Sequence, residues 1–472
     1  KFNIFAFERK LTMVRLFNHW LRLNSVAQML FDFSFVIVGM VTAIMWVGSG
    51  LPVNFRLVTI FAVLLALAML VINSWLGFYQ RFSKRTVMES RARAVLSLYL
   101  AVPVAYGIFS ILPLTGISKE FLQLSAMSAV FGMLVTRVSA THAPTNGMLS
   151  RRILVFGTGS RALAVKRALN KSDPSAEIMG FFPSPNDEEV EVPAHMLIAR
   201  EKSLSDTAIS MKADEIVVAI TERRGGAMPM RELLDCKLQG IRVLDLASHF
   251  EQTLGQIRLD SLYAGWLIFG DGFSQSNWRT IVKRLFDIVC ASILIILALP
   301  VMAVAAVAII AENGFPILYR QERVGLNGRL FNVIKFRSMR RDAEKDGKPI
   351  WAKAGDDRVT KVGKIIRKLR IDELPQLFSV LAGDMSLVGP RPERPFFVDQ
   401  LTKEIPFYAV RHSVKPGVTG WAQVRYHYGA TVEDSAEKLQ YDLYYVKNHS
   451  LFLDVLVLID TIGVVLTGKG AH

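Results

Sequence analysis

The chain has 472 residues, of which 51% are hydrophobic and 21% charged, with a formal net charge of +15. A soluble protein of this length builds its core with fewer apolar residues, so the composition disfavours an ordinary soluble enzyme and points to a membrane class. The positive balance suits an anionic partner: a headgroup surface, nucleic acid or a phosphorylated substrate.

Residues 1–30 read as a cytoplasmic amino-terminal segment carrying Lys10, Arg15 and Arg22. No secretory signal pattern is evident, and Met13 is a candidate natural start. A four-helix transmembrane region is expected over 31–140, with apolar segments at 33–47, 57–76, 94–114 and 121–135. Arg81, Lys84, Arg85, Arg91 and Arg93 lie between the second and third, and Arg137, Arg151 and Arg152 follow the fourth. Basic loops stay cytoplasmic, so four spans leave both ends inside.

Residues 151–250 read as a Rossmann-like α/β domain. Strands are expected at 152–156, 213–220 and 241–246, alternating with helical stretches. Gly157-Thr158-Gly159-Ser160-Arg161-Ala162 fits a dinucleotide turn, which makes Gly157 and Gly159 candidate cofactor-binding residues. The acidic residue expected after the second strand is missing, because 178–182 leads into Pro183-Ser184-Pro185. A tight structural turn is the alternative. The two cysteines, Cys236 and Cys290, show no metal spacing and fit a reducing compartment. Residues 251–280 read as a linker, in which Trp266 and Trp278 suit a membrane surface or a core equally.

The uncharged run 288–310 has Pro300 in its middle and basic residues on both sides, among them Lys283, Arg284, Arg320 and Arg323. A straight span would export one basic flank. A re-entrant helix over 286–311, broken at Pro300, keeps both inside. Residues 358–370 have apolar residues at helical spacing and a basic opposite face, which suits an anionic surface or a polyphosphate. The apolar stretch 451–466 is expected to lie on or dock to the membrane.

Chemistry is expected at Asp372-Glu373, which follows Arg367, Lys368 and Arg370 and is flanked by Leu374, Leu377 and Phe378. Most such pairs are solvated surface charges. Here nearby cations would keep a carboxylate ionised and nucleophilic, as phosphate chemistry requires. Prolines on both sides of Arg391 stiffen a guanidinium suited to phosphate. Lys335-Phe336-Arg337 offers two more cations. His412 and His427 read as structural.

Together Lys283-Arg284-Leu285-Phe286-Asp287, Lys335-Phe336-Arg337-Ser338-Met339, Asp372-Glu373-Leu374-Pro375-Gln376, Gly389-Pro390-Arg391-Pro392 and Lys415-Pro416-Gly417-Val418-Thr419-Gly420-Trp421 resemble the bacterial sugar transferase family of monotopic phosphoglycosyl transferases. The whole chain is similar to the large members that initiate exopolysaccharide synthesis. The resemblance implies a mainly α monotopic catalytic domain over 281–472. It implies transfer of hexose-1-phosphate from a UDP-sugar to undecaprenyl phosphate, with glucose the first guess and galactose the second. Asp372 would be the nucleophile, Glu373 would help hold Mg²⁺, and Lys335, Arg337, Arg391 and Arg425 would bind substrate. The bacterial inner membrane is implied, with the catalytic domain on the cytoplasmic face, membrane lipid as a partner, no nucleic acid and a homodimer left open. Two departures stand out. Leu299 occupies the place of a serine often found before the proline. Val424-Arg425-Tyr426 replaces the usual Asn-Gly-Arg, so Arg425 is the candidate replacement arginine. The alternatives are a membrane-bound nucleotide-sugar dehydratase, for which no Tyr-x-x-x-Lys pair is found, and a non-enzymatic nucleotide-sensing scaffold.

Overall fold

A computed structural model describes residues 13–16, 19–47, 55–79, 87–111, 151–172, 176–185, 190–220, 228–262, 267, 272–273, 277–340, 343, 357–426 and 431–467. The apolar segment 121–135, the basic residues Lys10, Arg81, Lys84, Arg85 and Arg137, and also Trp266 and His427, lie outside these residues. The chain divides into two compact units, one of residues 1–14 and 20–254 and one of 15–19 and 255–472. Short strands β1 (Met13–Leu16) and β2 (His19–Arg22) precede the first long helix.

In the first unit, helices α1 (Leu23–Val47), α2 (Phe55–Trp75) and α3 (Val87–Ile111) cover three of the expected apolar segments. Each of the three starts earlier than its apolar run, because helical hydrogen bonding does not stop where hydropathy falls. Large apolar side chains face outward, among them Phe31, Met45, Tyr99 and Tyr106. Inside, the buried Asp32 carboxylate accepts hydrogen bonds from the Tyr79 hydroxyl and from Asn73 Nδ2 at 3.2 Å. Ser97 Oγ donates to Asn73 Oδ1 at 2.7 Å. A buried carboxylate is costly unless hydrogen-bonded, and this network meets that need while tying three helices together.

The same unit contains a parallel sheet of β3 (Arg151–Phe156), β4 (Ala176–Phe182), β5 (Glu215–Val218) and β6 (Arg242–Asp245), in the order β4-β3-β5-β6. β-branched and aromatic residues such as Ile153, Val155, Phe181 and Val217 are fully buried in it, as suits strands covered on both faces. Helices α4 (Ser160–Ser172), α5 (Leu204–Ser210), α6 (Met230–Leu238) and α7 (Leu246–Leu254) connect or follow the strands. The Gly157 N–H donates to Phe182 O at 2.8 Å, and its φ is +120°. A Cβ there would stand 2.9 Å from Ala219 O, so close strand approach alone accounts for this glycine.

The second unit is built on α8 (Asn277–Asn313), which begins inside the stretch read as a linker. Trp278, Ile281 and Leu285 extend its apolar periodicity upstream of the uncharged run. Among the described residues, α8 is the one helix long and apolar enough to cross a membrane. It continues through Pro300, which removes one backbone donor from the ladder. Its two halves pack differently. Ala291 and Ile295 join a core with Leu377, Val380, Leu387 and Tyr444, whereas Ala305 and Ile309 join Phe336 and Ile366. Between them Ile296, Leu297, Leu299, Val301 and Val304 are exposed.

An antiparallel hairpin follows, β7 (Leu318–Val324) with β8 (Leu330–Phe336). Then come α9 (Lys361–Lys368), a 3₁₀ turn at Ile371–Glu373 and α10 (Gln376–Ala382). Strands β9 (Ser386–Val388) and β10 (Gly417–Thr419) pair in parallel around α11 (Pro395–Glu404). Helices α12 (Trp421–Arg425), α13 (Val432–Asn448) and α14 (Leu451–Thr467) complete the unit. His19 also belongs here, where its Nδ1 lies 2.7 Å from the Tyr444 hydroxyl.

Candidate active site

Asp372 and Glu373 lie in the 3₁₀ turn between α9 and α10. Arg370 enters that turn in left-handed conformation, φ +57° and ψ +18°, a region non-glycine residues rarely adopt. The kink drives both carboxylates inward, where they are 9% and 8% exposed. The flanking helices are fastened to opposite ends of α8. The Glu312 carboxylate accepts from the Lys361 and Val362 N–H groups at 2.8 and 3.0 Å, capping α9. At the far end of α8, the Arg284 guanidinium donates to Val380 O at 2.5 Å and to Leu381 O at 2.7 Å, closing α10. Lys283 bridges Asp287 and Asp454, each at 2.9 Å. Asp287 in turn accepts from Ser386 Oγ and from the Leu387 N–H, both at 3.2 Å. The Lys-Arg-x-x-Asp run therefore anchors the helix to the domain.

Glu373 Oε1 accepts from Lys335 Nζ and from Arg391 Nη2, both at 2.9 Å, and Arg370 stands 4.0 Å from Oε2. Burial alone would raise this carboxyl, but Arg391, Lys335 and Arg370 overcome it and hold Glu373 well below the usual range. Asp372 goes the other way. Burial, and then the Glu373 charge beside it, push Asp372 up to about 6 against the pull of Lys335, Arg367 and Arg370. Its Oδ1 is buried with no hydrogen-bond partner. An ionisable oxygen without a partner, among cations, is available to attack an electrophile.

Mg²⁺ takes hard oxygen ligands and is commonly held by one or two carboxylates together with substrate phosphates. The Glu373 carboxylate is an oxygen donor of that kind: its Oε1 takes Lys335 and Arg391, and its Oε2, 4.0 Å from Arg370, is the oxygen left for an ion.

The Arg391 loop is held from behind by residues that reading the sequence did not single out. Arg411 is buried and donates to Arg391 O at 3.0 Å, to Asp442 at 2.8 Å and to the Tyr408 hydroxyl at 2.7 Å. Gln423 Oε1 accepts from Arg391 Nη1 at 3.3 Å. Arg323 donates to Pro392 O at 3.0 Å. The loop and the Lys415–Trp421 stretch run so close that a Cβ on Gly417 would meet Gly389 N at 2.1 Å.

Lys335, Arg391, Asp372 and Glu373 thus come together. Arg337 points elsewhere and donates to Asn313 O at 3.1 Å and to Gly314 O, at the carboxyl end of α8. Arg425 pairs with Asp460 at 2.9 Å and lies over the Trp421 ring, 4.2 Å from its centre. His412 is half-buried beside Arg411, and burial, then that charge, lowers it to about 4, as befits a neutral structural histidine. Gly157 and Gly159 belong to the other unit.

A buried carboxylate pair among lysine and arginine side chains thus lies on a domain built around one long apolar helix. The sequence model described as bacterial sugar transferase matches residues 278–468. The chain is 47% identical over 242 residues to the Aeromonas hydrophila UDP-N-acetylgalactosamine-undecaprenyl-phosphate N-acetylgalactosaminephosphotransferase, covering 51% of this chain and 56% of that protein. It is 44% identical over 193 residues to the Caulobacter vibrioides UDP-glucose:undecaprenyl-phosphate glucose-1-phosphate transferase, 40% of this chain and 72% of the relative. It is 34% identical over 340 residues to the Komagataeibacter xylinus undecaprenyl-phosphate glucose phosphotransferase, 68% and 60% of the two chains. The matched region thus spans just over half of the first and third relatives. The chain belongs to the bacterial sugar transferase family.

Proposed function

We propose that this protein moves hexose-1-phosphate from a UDP-sugar to undecaprenyl phosphate on the cytoplasmic face of the bacterial inner membrane, as the first step of exopolysaccharide assembly. The observation that carries this reading is the unpartnered Asp372 Oδ1 beside a Glu373 carboxylate held by Lys335 and Arg391. Asp372 attacks the β-phosphorus. An Asp–phosphorus bond forms, the bond to the bridging oxygen breaks, and UMP leaves with that electron pair. An oxygen of undecaprenyl phosphate then attacks the same phosphorus, and the Asp372 carboxylate departs unchanged. Lys335 and Arg391 stand where charge builds on the phosphoryl oxygens. Glu373 would help hold Mg²⁺, which when bound neutralises the diphosphate.

The relatives' names divide between glucose and N-acetylgalactosamine as the sugar. UDP-glucose is retained as the first donor. The 47% identity to the Aeromonas protein favours UDP-N-acetylgalactosamine as the second.

Membrane seating is part of the proposal. Pro300 inside α8, the exposed apolar residues around it and the basic residues on both sides of the apolar run support a bent, re-entrant α8 that keeps both ends on one side.

The deciding experiment incubates the full chain in nanodiscs with Mg²⁺, polyprenyl phosphate and UDP-glucose or UDP-N-acetylgalactosamine. UMP release and a phosphosugar trapped on the wild type, and absent from Asp372→Asn, are expected. Labelling that survives Asp372→Asn would remove Asp372 as nucleophile.

A further inference from the structure

The α9 segment divides its cations between two faces. Arg367 and Arg370 act on Asp372, and Arg370 stands 4.0 Å from Glu373 Oε2. Lys361, Lys364 and Lys368 recur at i, i+3 and i+7, and all three are exposed. None of these three ammonium groups is in an ion pair among the described residues. Ile365 and Leu369 form an adjoining row, 60% and 50% exposed, while Val362 and Ile366 supply the face that packs inward. Large apolar side chains bordered by unpaired lysines are the pattern of a helix lying at a membrane interface, with apolar groups in the acyl boundary and ammonium groups at the phosphates.

The contacts of α9 with α8 set its depth. Glu312, which ends the apolar run of α8, accepts from the Lys361 and Val362 N–H groups at 2.8 and 3.0 Å. Ile366 packs with Ala305 and Ile309, in the last turns of that run. α9 is thereby held where hydrocarbon gives way to headgroups, and the exposed Phe315 just past α8 suits the same level. We propose that the outward face of α9, Lys361, Lys364 and Lys368 with Ile365 and Leu369, docks on anionic phospholipid of the leaflet that holds α8. The inference rests on the bilayer seating of α8 proposed above. The apolar row beside the lysines selects a lipid over a soluble phosphate. α9 contains no acidic residue, which selects an anionic headgroup over a zwitterionic one.

The test uses the full chain in phosphatidylcholine nanodiscs, on a Cys236→Ser, Cys290→Ser background, with a bimane fluorophore on Leu369→Cys. An acyl-chain doxyl quencher is carried either by phosphatidylglycerol or by phosphatidylcholine, at equal mole fraction. Both lipids are expected to quench, with phosphatidylglycerol enriched on the order of fivefold, the worth of one lysine at an anionic surface. Joint substitution Lys361→Gln, Lys364→Gln and Lys368→Gln is expected to bring the ratio of the two to one. Equal quenching with the lysines in place would overturn the proposal, and so would a preference that survives their joint substitution. Quenching by neither lipid, the result if a protein or a second copy covers this face, would overturn it as well. A bimane on Val304→Cys tests the seating of α8 separately. If neither lipid quenches that probe, the bilayer seating itself fails; if both quench it and neither quenches Leu369→Cys, only the docking of α9 fails.

Discussion

Asp372 and Glu373 are consecutive and almost equally buried, yet their carboxyl groups are driven in opposite directions, Asp372 up to about 6 and Glu373 well below its usual range. The division comes from burial and charge: burial and the Glu373 charge raise Asp372, whereas Arg391, Lys335 and Arg370 overcome burial at Glu373. Glu373 receives Lys335 and Arg391, and Asp372 Oδ1 has no hydrogen-bond partner among the described residues. One carboxylate organises the cations and the other remains free to react.

Replacing Asp372 by Asn should abolish UMP release and also stabilise the fold. A carboxyl raised from 3.8 to about 6 favours the protonated folded state. Its stabilising contribution is complete below the unfolded value and is lost as pH rises through about 6, so at pH 7 the ionised carboxylate costs stability. Asn removes that cost, worth up to ~3 kcal/mol. Thermal unfolding in nanodiscs at pH 7 should show a higher midpoint for Asp372→Asn, with the gain vanishing near pH 4. An unchanged or lower midpoint at pH 7 contradicts the burial argument.

The same titration governs rate. Only the ionised Asp372 attacks, so kcat/KM for UMP release should fall about tenfold per pH unit on the acid side, with an apparent midpoint near 6. A flat profile between pH 5 and pH 8 would rule this out.

Lys335 and Arg391 share one carboxylate oxygen, so their losses should not add. Lys335→Met and Arg391→Met are each expected to lower kcat/KM by at least ~100-fold, about 3 kcal/mol. The double variant should lose less than the product of the two. Strict additivity would show that the two cations work independently.

Arg411 is expected to matter through structure. Arg411→Met leaves Asp442 buried without its partner and frees Arg391 O, at a cost of about 3–5 kcal/mol. Thermal unfolding should register that loss, and adding Asp442→Asn should restore part of it. A neutral Arg411→Met would contradict the pairing.

A re-entrant α8 places both of its ends on the cytoplasmic side. With Cys236→Ser and Cys290→Ser as background, Asn277→Cys and Arg329→Cys should both resist an impermeant maleimide in intact spheroplasts and react after lysis. Labelling of either one in intact spheroplasts defeats the re-entrant reading.

Much of the site was legible because its motifs are local. Asp372-Glu373, the proline-flanked Arg391 and Lys335 were found from residue type and spacing, and the fold brings Lys335 and Arg391 within hydrogen-bonding distance of Glu373. Arg337 shows where local reading stops. Strand alternation would set it beside Lys335, but β8 ends at Phe336, and Arg337 turns to the carbonyls that end α8. Arg411 and Gln423 carried no signal, since each acquires its role from Arg391, 20 and 32 positions away. The start of α8 at Asn277 was missed because hydropathy marks the uncharged run, whereas the helix begins among the polar and charged residues before it.

Arg284 and Glu312 fasten the two ends of the segment that carries the reacting pair to the two ends of one apolar helix. The consequence is mechanical. In the re-entrant form proposed above, any force that opens or closes the bend of that helix is delivered to Asp372 through α9 and α10. Acyl-chain length and lateral pressure thereby become variables of the turnover rate, and a bilayer of altered thickness is expected to change kcat with no residue substituted.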